Sequence, residues 1–186
     1  MRRGRMSAFK LIGCSMVASL CFATATVSAA TTRNDYNAAK ERAAVDFKAA
    51  DARCASLSGN PKDICQAEAK LARKKAEVTA EADYKNTPGA RQEAAEEIAE
   101  AEYSLAKERC DAKTGNEKDV CVKEAKAAQT RMKADAKATE KSTVARRDAS
   151  EDKRDADYKV AMAKCDGMAG NAKDTCQRSA KASFGK

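Results

Sequence analysis

Six cysteines carry the only reactive chemistry that spacing organises in this sequence. Cys54 and Cys65, Cys110 and Cys121, and Cys165 and Cys176 form three C-x10-C pairs, and their first members lie 56 and then 55 residues apart. Thiols can form disulfides, ligate a metal or exchange electrons. Zinc sites favour short C-x2–4-C spacings completed by histidine, and the chain has no histidine. Thiol–disulfide oxidoreductases use C-x-x-C, which is absent. An even number of regularly placed cysteines in a chain with little core fits structural disulfides. The expectation is local pairing: Cys54–Cys65, Cys110–Cys121 and Cys165–Cys176.

Catalysis is not expected. Without histidine the commonest general acid–base is missing. No G-x-S-x-G, phosphate-cradling glycine loop or H-E-x-x-H occurs. Paired acids such as Glu96-Glu97 and Glu151-Asp152 sit in runs that read as helix surface. Neither metal nor cofactor is expected, nor a small-molecule substrate, because thin alanine-rich helices make poor pockets.

The elements that must position the sulfurs follow from the residues between them. The three units share C-x4-G-N-x-K-D-x-C, with an aromatic seven residues before the first cysteine (Phe47, Tyr103, Tyr158). Ala-Lys follows four and five residues after the second. In one continuous helix, residues 11 apart would lie about 16 Å apart along the axis, whereas a disulfide needs Cα atoms within about 7 Å. The chain must therefore reverse. Gly59, Gly115 and Gly170 are expected in the left-handed conformation that ends a helix. Asn60, Asn116 and Asn171 are expected to cap the next helix. Asp63, Asp119 and Asp174 would then occupy its third position, reaching back to the cap and favouring the positive helix end. Both cysteines of a pair would stand at equal depth, five residues from the turn. Each aromatic shares a helix face with its cysteine and is read as packing.

The fold class is all-α: extended helical hairpins, each stapled by one disulfide near its tip. Residues 31–186 contain 36 alanines, aromatics are 4% and charged residues 34%. Alanine buries little area, but Ala, Glu, Lys and Arg are strong helix formers. Long, thin helices are expected, with disorder the competing reading. The first arm is expected over 35–58 and the second over 61–85. Asn86-Thr87-Pro88-Gly89 reads as a helix stop, then a new cap and start. From Glu117 to Lys164 there is neither glycine nor proline; a bend at Thr139, Ser142 and Thr143 is left open. The repeats divide as 31–86, 87–140 and a truncated 141–186.

Residues 1–30 differ in character. Arg2, Arg3, Arg5 and Lys10 precede an apolar run, and Val27-Ser28-Ala29 resembles a cleavage site. This reads as a signal peptide and directs the chain to the periplasm or outside the cell. Leu11-Ile12-Gly13-Cys14 is a weaker lipoprotein-box alternative, and Arg2-Arg3 a weaker twin-arginine one. Four of the 36 basic and none of the 28 acidic residues lie in this segment. The remainder carries a net +4 with both signs interleaved, a solvated surface rather than a nucleic-acid footprint.

The exported Ala/Lys/Glu-rich chain resembles in composition the helical periplasmic stalk of the TolA envelope protein, without that protein's globular C-terminal domain. Its C-x10-C repeat is similar to that of small exported proteobacterial proteins, a resemblance that implies no activity. The expected role is a non-enzymatic structural or interaction protein, a helical spacer or scaffold in the cell envelope. The alternative is a stress-type binding module for unfolded clients or anionic envelope surfaces. Self-association is open: neighbouring hairpins stack on one another or on a second chain.

Overall fold

The computed structural model describes residues 31–186. The signal-peptide, lipoprotein and twin-arginine readings of residues 1–30 lie outside them. Five helices follow in order: α1 (Arg33–Cys54), α2 (Asn60–Lys85), α3 (Pro88–Cys110), α4 (Gly115–Asp166) and α5 (Gly170–Phe184). There is no strand among the described residues.

Local signals set the first three helix starts and stops. Thr32 and Asp35 form a reciprocal capping box at the head of α1, with the Thr32 hydroxyl accepting from the Asp35 amide at 3.2 Å. Asn86 closes α2 at φ +50°, the one described non-glycine residue with positive φ, a conformation asparagine tolerates. The Thr87 hydroxyl then accepts from the Ala90 amide at 3.1 Å, and Pro88 opens α3. Proline suits this position because its missing N–H has no intrahelical acceptor there.

Each helix packs only on its neighbours in sequence: α1 on α2, α2 on α3, α3 on α4, and the far end of α4 on α5. The helices form one layer of antiparallel rods rather than a closed bundle. The composition dictates this. The α2–α3 seam buries Val78, Ala82, Ala90 and Ala94, with Ile98 against them. Most of that is alanine, which contributes less than the ~1.5–3 kcal/mol of a buried Val, Leu or Ile. Such side chains fill a seam between two helices but not the centre of a bundle. Ion pairs flank the seams: Lys74–Glu97 at 3.0 Å and Arg109–Glu68 at 2.8 Å between α2 and α3, and Lys133–Glu100 at 2.6 Å between α3 and α4. Arg109–Glu68 and Lys133–Glu100 are solvent-exposed and Lys74–Glu97 only part-buried, so each contributes about 0–1 kcal/mol.

Helix α4 is unbroken across its 52 residues, about 78 Å long. It continues without a break through Thr139–Thr143. The Ser142 and Thr143 hydroxyls instead turn inward and donate to the Thr139 carbonyl at 3.0 and 2.8 Å, so the helix absorbs these polar residues. The 140/141 repeat boundary therefore falls inside a helix. The first half of α4 lies along α3, and its far end carries α5. There Arg154 donates to the Phe184 carbonyl at 2.9 Å, Lys186 pairs with Asp155 at 2.7 Å, and Tyr158 meets Phe184 at 5.9 Å. Among the described residues, no helix is long and apolar enough to cross a membrane.

Candidate functional site

The three stapled tips are the constructed features of the molecule. The disulfides are Cys54–Cys65, Cys110–Cys121 and Cys165–Cys176, with Cα–Cα distances of 5.7, 5.7 and 5.6 Å. The pairing is the local one that the repeat implies. Cys54, Cys110 and Cys165 are among the most buried side chains of the chain, at 0–1% exposure. Disulfides of this kind belong to oxidising, extracytoplasmic compartments. With all six sulfurs bonded to one another, none remains as a thiolate to ligate a metal.

The reversal is built in the same way three times. The residue three after each first cysteine returns its amide to that cysteine's carbonyl: Leu57 to Cys54 at 3.0 Å, Lys113 to Cys110 at 2.9 Å and Met168 to Cys165 at 3.0 Å. This tight turn ends the arm at the cysteine or one residue past it, so the first arm stops earlier than position 58. Gly59, Gly115 and Gly170 follow with φ +59°, +55° and +54°. Positive φ was expected of them, but their place differs. Each glycine starts the following helix rather than closing the preceding one.

Two expectations are corrected with it. Asn60, Asn116 and Asn171 are not N-caps: they lie at the first or second helical position, already inside the helix. Asp63, Asp119 and Asp174 fall correspondingly deeper, at the fourth or fifth, and none bonds back to a cap among the described residues. The physical reason is the tight turn after the first cysteine. It uses up the residues between Cys and Gly as linker, so the glycine has to turn the chain into the next helix. The cysteines are consequently not at equal depth. Cys54 and Cys110 are the last residues of their helices and Cys165 the last but one, whereas Cys65, Cys121 and Cys176 lie in the second turn of theirs.

Freed from capping, Asn60 reaches across to the next hairpin. Its Nδ2 donates to the Glu108 carbonyl at the end of α3, at 2.7 Å. Tips 1 and 2 therefore sit side by side, while tip 3 stands about 75 Å away at the other end of α4. Lys118 pairs with Asp111 at 2.8 Å and Lys173 with Asp166 at 3.0 Å. Both clasps join the motif lysine to an aspartate directly after the first cysteine, and tip 1 has Ala55 there. Hydrogen bonding to Asp111 raises the Lys118 pKa above its ordinary value. In the sequence these clasps show only as a Cys-Asp pair in two of the three units, outside the shared C-x4-G-N-x-K-D-x-C pattern.

The repeated aromatics pack against the opposite arm of their own hairpins. The Arg73 guanidinium lies 5.3 Å from the Phe47 ring, and the Lys126 ammonium 5.1 Å from Tyr103. Tyr158 holds Phe184. Between α3 and α4, Ala95, Ile98, Met132 and Ala136 line an open groove of about 410 Å³. Among the described residues, no group of three or more His, Cys, Asp or Glu side chains is placed to hold a metal ion. Comparison with known protein families, curated protein sequences and solved structures finds no match to this chain.

Proposed function

We propose that the chain is a non-enzymatic structural or interaction protein of the periplasm or the extracellular space, serving as a helical spacer or scaffold in the cell envelope. The observation that supports this reading is the 52-residue α4 with disulfide-stapled tips at both of its ends. A rod of this length separates what its two ends touch, and the staples resist fraying where a partner would load them. The expected partner is a cell-envelope protein or an anionic envelope surface. Capture from envelope extract under non-reducing conditions, at physiological salt, tests it. Enrichment of a defined envelope component is expected, and failure to enrich any would overturn the reading.

The apolar groove between α3 and α4 favours a second reading, a stress-type module that holds exposed apolar segments of unfolded clients. Suppression of client aggregation, abolished by Ile98→Glu, is the expected sign of it. Attachment to anionic vesicles would weaken steeply with salt, which separates surface binding from client binding.

A further inference from the structure

The internal repeat supplies a template for a face of α4 that no described residue covers. In the first repeat, α2 leaves tip 1 with α1 on one side and α3 on the other. Counted from the second cysteine of each pair, α2 positions map onto the first half of α4 by adding 56. Counted from the first cysteine, α3 positions map onto the far half of α4 by adding 55. The Asn86–Gly89 break maps by the same counting onto Ser142–Val144, where one residue is lost and the helix runs on. In the first repeat that break lets α3 fold back on α2. In the second, the far half of α4 is carried away instead, and both halves of the corresponding seam are left open. The counterparts of the buried Val78, Ala82, Ala90 and Ala94 are Ala134, Ala138, Ala145 and Ala149, and all four are exposed.

The polar partners of the seam are preserved as well. Lys75–Glu102 becomes Arg131 and Asp157, Lys85–Glu93 becomes Lys141 and Asp148, and Glu68–Arg109 becomes Glu124 and Lys164. Three of the four ion pairs across the α2–α3 seam thus keep opposite charges with the signs in the same places; only Lys74–Glu97 loses its basic member, to Thr130. The Asn60 side chain that bonds the Glu108 carbonyl becomes Asn116, opposite the Ala163 carbonyl. On one continuous helix these partners cannot meet: Arg131 and Asp157 are about 39 Å apart along the axis, and Asn116 and Ala163 about 70 Å. Arg131, Asp157, Lys141, Glu124 and Lys164 have no ion-pair partner among the described residues, and Asp148 pairs only with the adjacent Arg147.

We propose that this face of α4, from Glu124 to Lys164, binds the same face of a second copy of the chain. The two α4 helices run antiparallel about a two-fold axis near Val144, in the register of the α2–α3 seam. The axis follows from the pairs: Lys75–Glu102 and Lys85–Glu93 are both centred on the Pro88 break, and their counterparts are both centred at Val144. A two-fold contact of this kind is self-complementary, each pair occurring twice. The second copy's far half then lies on α4 as α3 lies on α2, so the single layer of helices continues from one molecule into the next. Folding back within one chain would fill the same face. It requires breaking α4 where Val144, a β-branched residue, stands in place of the break, and where two hydroxyls already bond inside the helix. The inference concerns assembly and does not depend on the envelope role proposed above.

Sedimentation equilibrium of the oxidised chain tests the proposal, with charge-swapped variants at exposed positions that leave the fold intact. A concentration-dependent rise from monomer to dimer mass is expected. Arg131→Glu and Asp157→Arg should each raise the dissociation constant about tenfold, and the double variant should restore it. Replacing Ser142–Val144 by Asn-Thr-Pro-Gly should re-create the reversal and return the chain to a monomer with a shorter maximum dimension by small-angle scattering. A strictly monomeric wild-type chain, whether straight or folded back, overturns the proposal. A dimer that the charge swaps do not weaken, or that the double variant does not rescue, overturns it equally.

Discussion

The Asn60 amide and the Glu108 carbonyl, 48 residues apart in sequence, meet at 2.7 Å across neighbouring tips. The first hairpin thereby satisfies one of the open carbonyls at the C-terminus of α3. Asn60→Ala should lower stability by about 1 kcal/mol, the loss of one part-buried hydrogen bond. Asn171→Ala, at an exposed repeat-equivalent position with no such partner, should change it by less than about 0.5 kcal/mol. Thermal denaturation of the two variants checks the contrast. Equal losses would restore the capping role that the tip geometry argues against.

Gly59 has φ +59° and ψ −152°, a combination essentially confined to glycine. Beyond the adjacent residues, no atom lies within 4 Å of a Cβ built there, so substitution strains the backbone alone. Gly59→Ala should cost about 1–3 kcal/mol, and Gly59→Asn should do no better. Gly185, by contrast, has the ordinary left-handed φ +68° and ψ +38°, so Gly185→Asn should be tolerated within about 1 kcal/mol. Chemical denaturation of the three variants separates the two conformations.

The staples should matter unequally. Each closes a short loop and contributes about 3 kcal/mol in the chain-entropy picture. α2 is held by neighbours on both sides, whereas α5 touches only α4, and a 15-residue helix is marginal by itself. Cys165→Ser with Cys176→Ser should therefore melt α5, read as lost circular-dichroism helicity and fast amide exchange over Gly170–Phe184. Cys54→Ser with Cys65→Ser should lower the melting temperature while leaving α2 protected.

Stability should be flat between about pH 5 and 8, because the chain has no histidine to titrate there. Below that window it should fall. Hydrogen bonds from Thr32, Lys85, Lys133 and Lys186 hold Asp35, Glu81, Glu100 and Asp155 below the usual carboxylate range. A carboxylate depressed in the folded state stabilises it above its unfolded pKa, about 4, and that stability is lost as pH falls through the folded value. At the other extreme, Glu97, Glu81 and Asp111 raise the pKa values of Lys74, Lys85 and Lys118. Their contribution is complete below an unfolded pKa of about 10 and is lost as pH rises through the folded values. These groups are exposed or only part-buried, so melting curves should show shallow slopes at both ends, and added salt should flatten them further.

What sequence alone determined here is what local chemistry dictates. The C-x10-C spacing rules out a continuous helix between bonded sulfurs, a motif glycine is needed to turn the chain, and Asn-Thr-Pro-Gly both ends and restarts a helix. Helix, reversal and staple are each specified within a dozen residues, and all three form, with the glycine at the start of the second helix rather than at the end of the first. Tertiary structure decided the rest. Each helix ends at its first cysteine or one residue past it, which moved the asparagines from cap to interior and left Asn60 free to reach Glu108. Nothing near Asn60 announces a partner 48 positions away. The same holds for the neighbours of α4, while the Asp111–Lys118 clasp across its turn shows in the sequence only as the Cys-Asp pair of two units. A helix of alanine and charge is specified by its own residues. What lies beside it depends on which other face presents matching charges at the same spacing, and that is settled only when the helices pack.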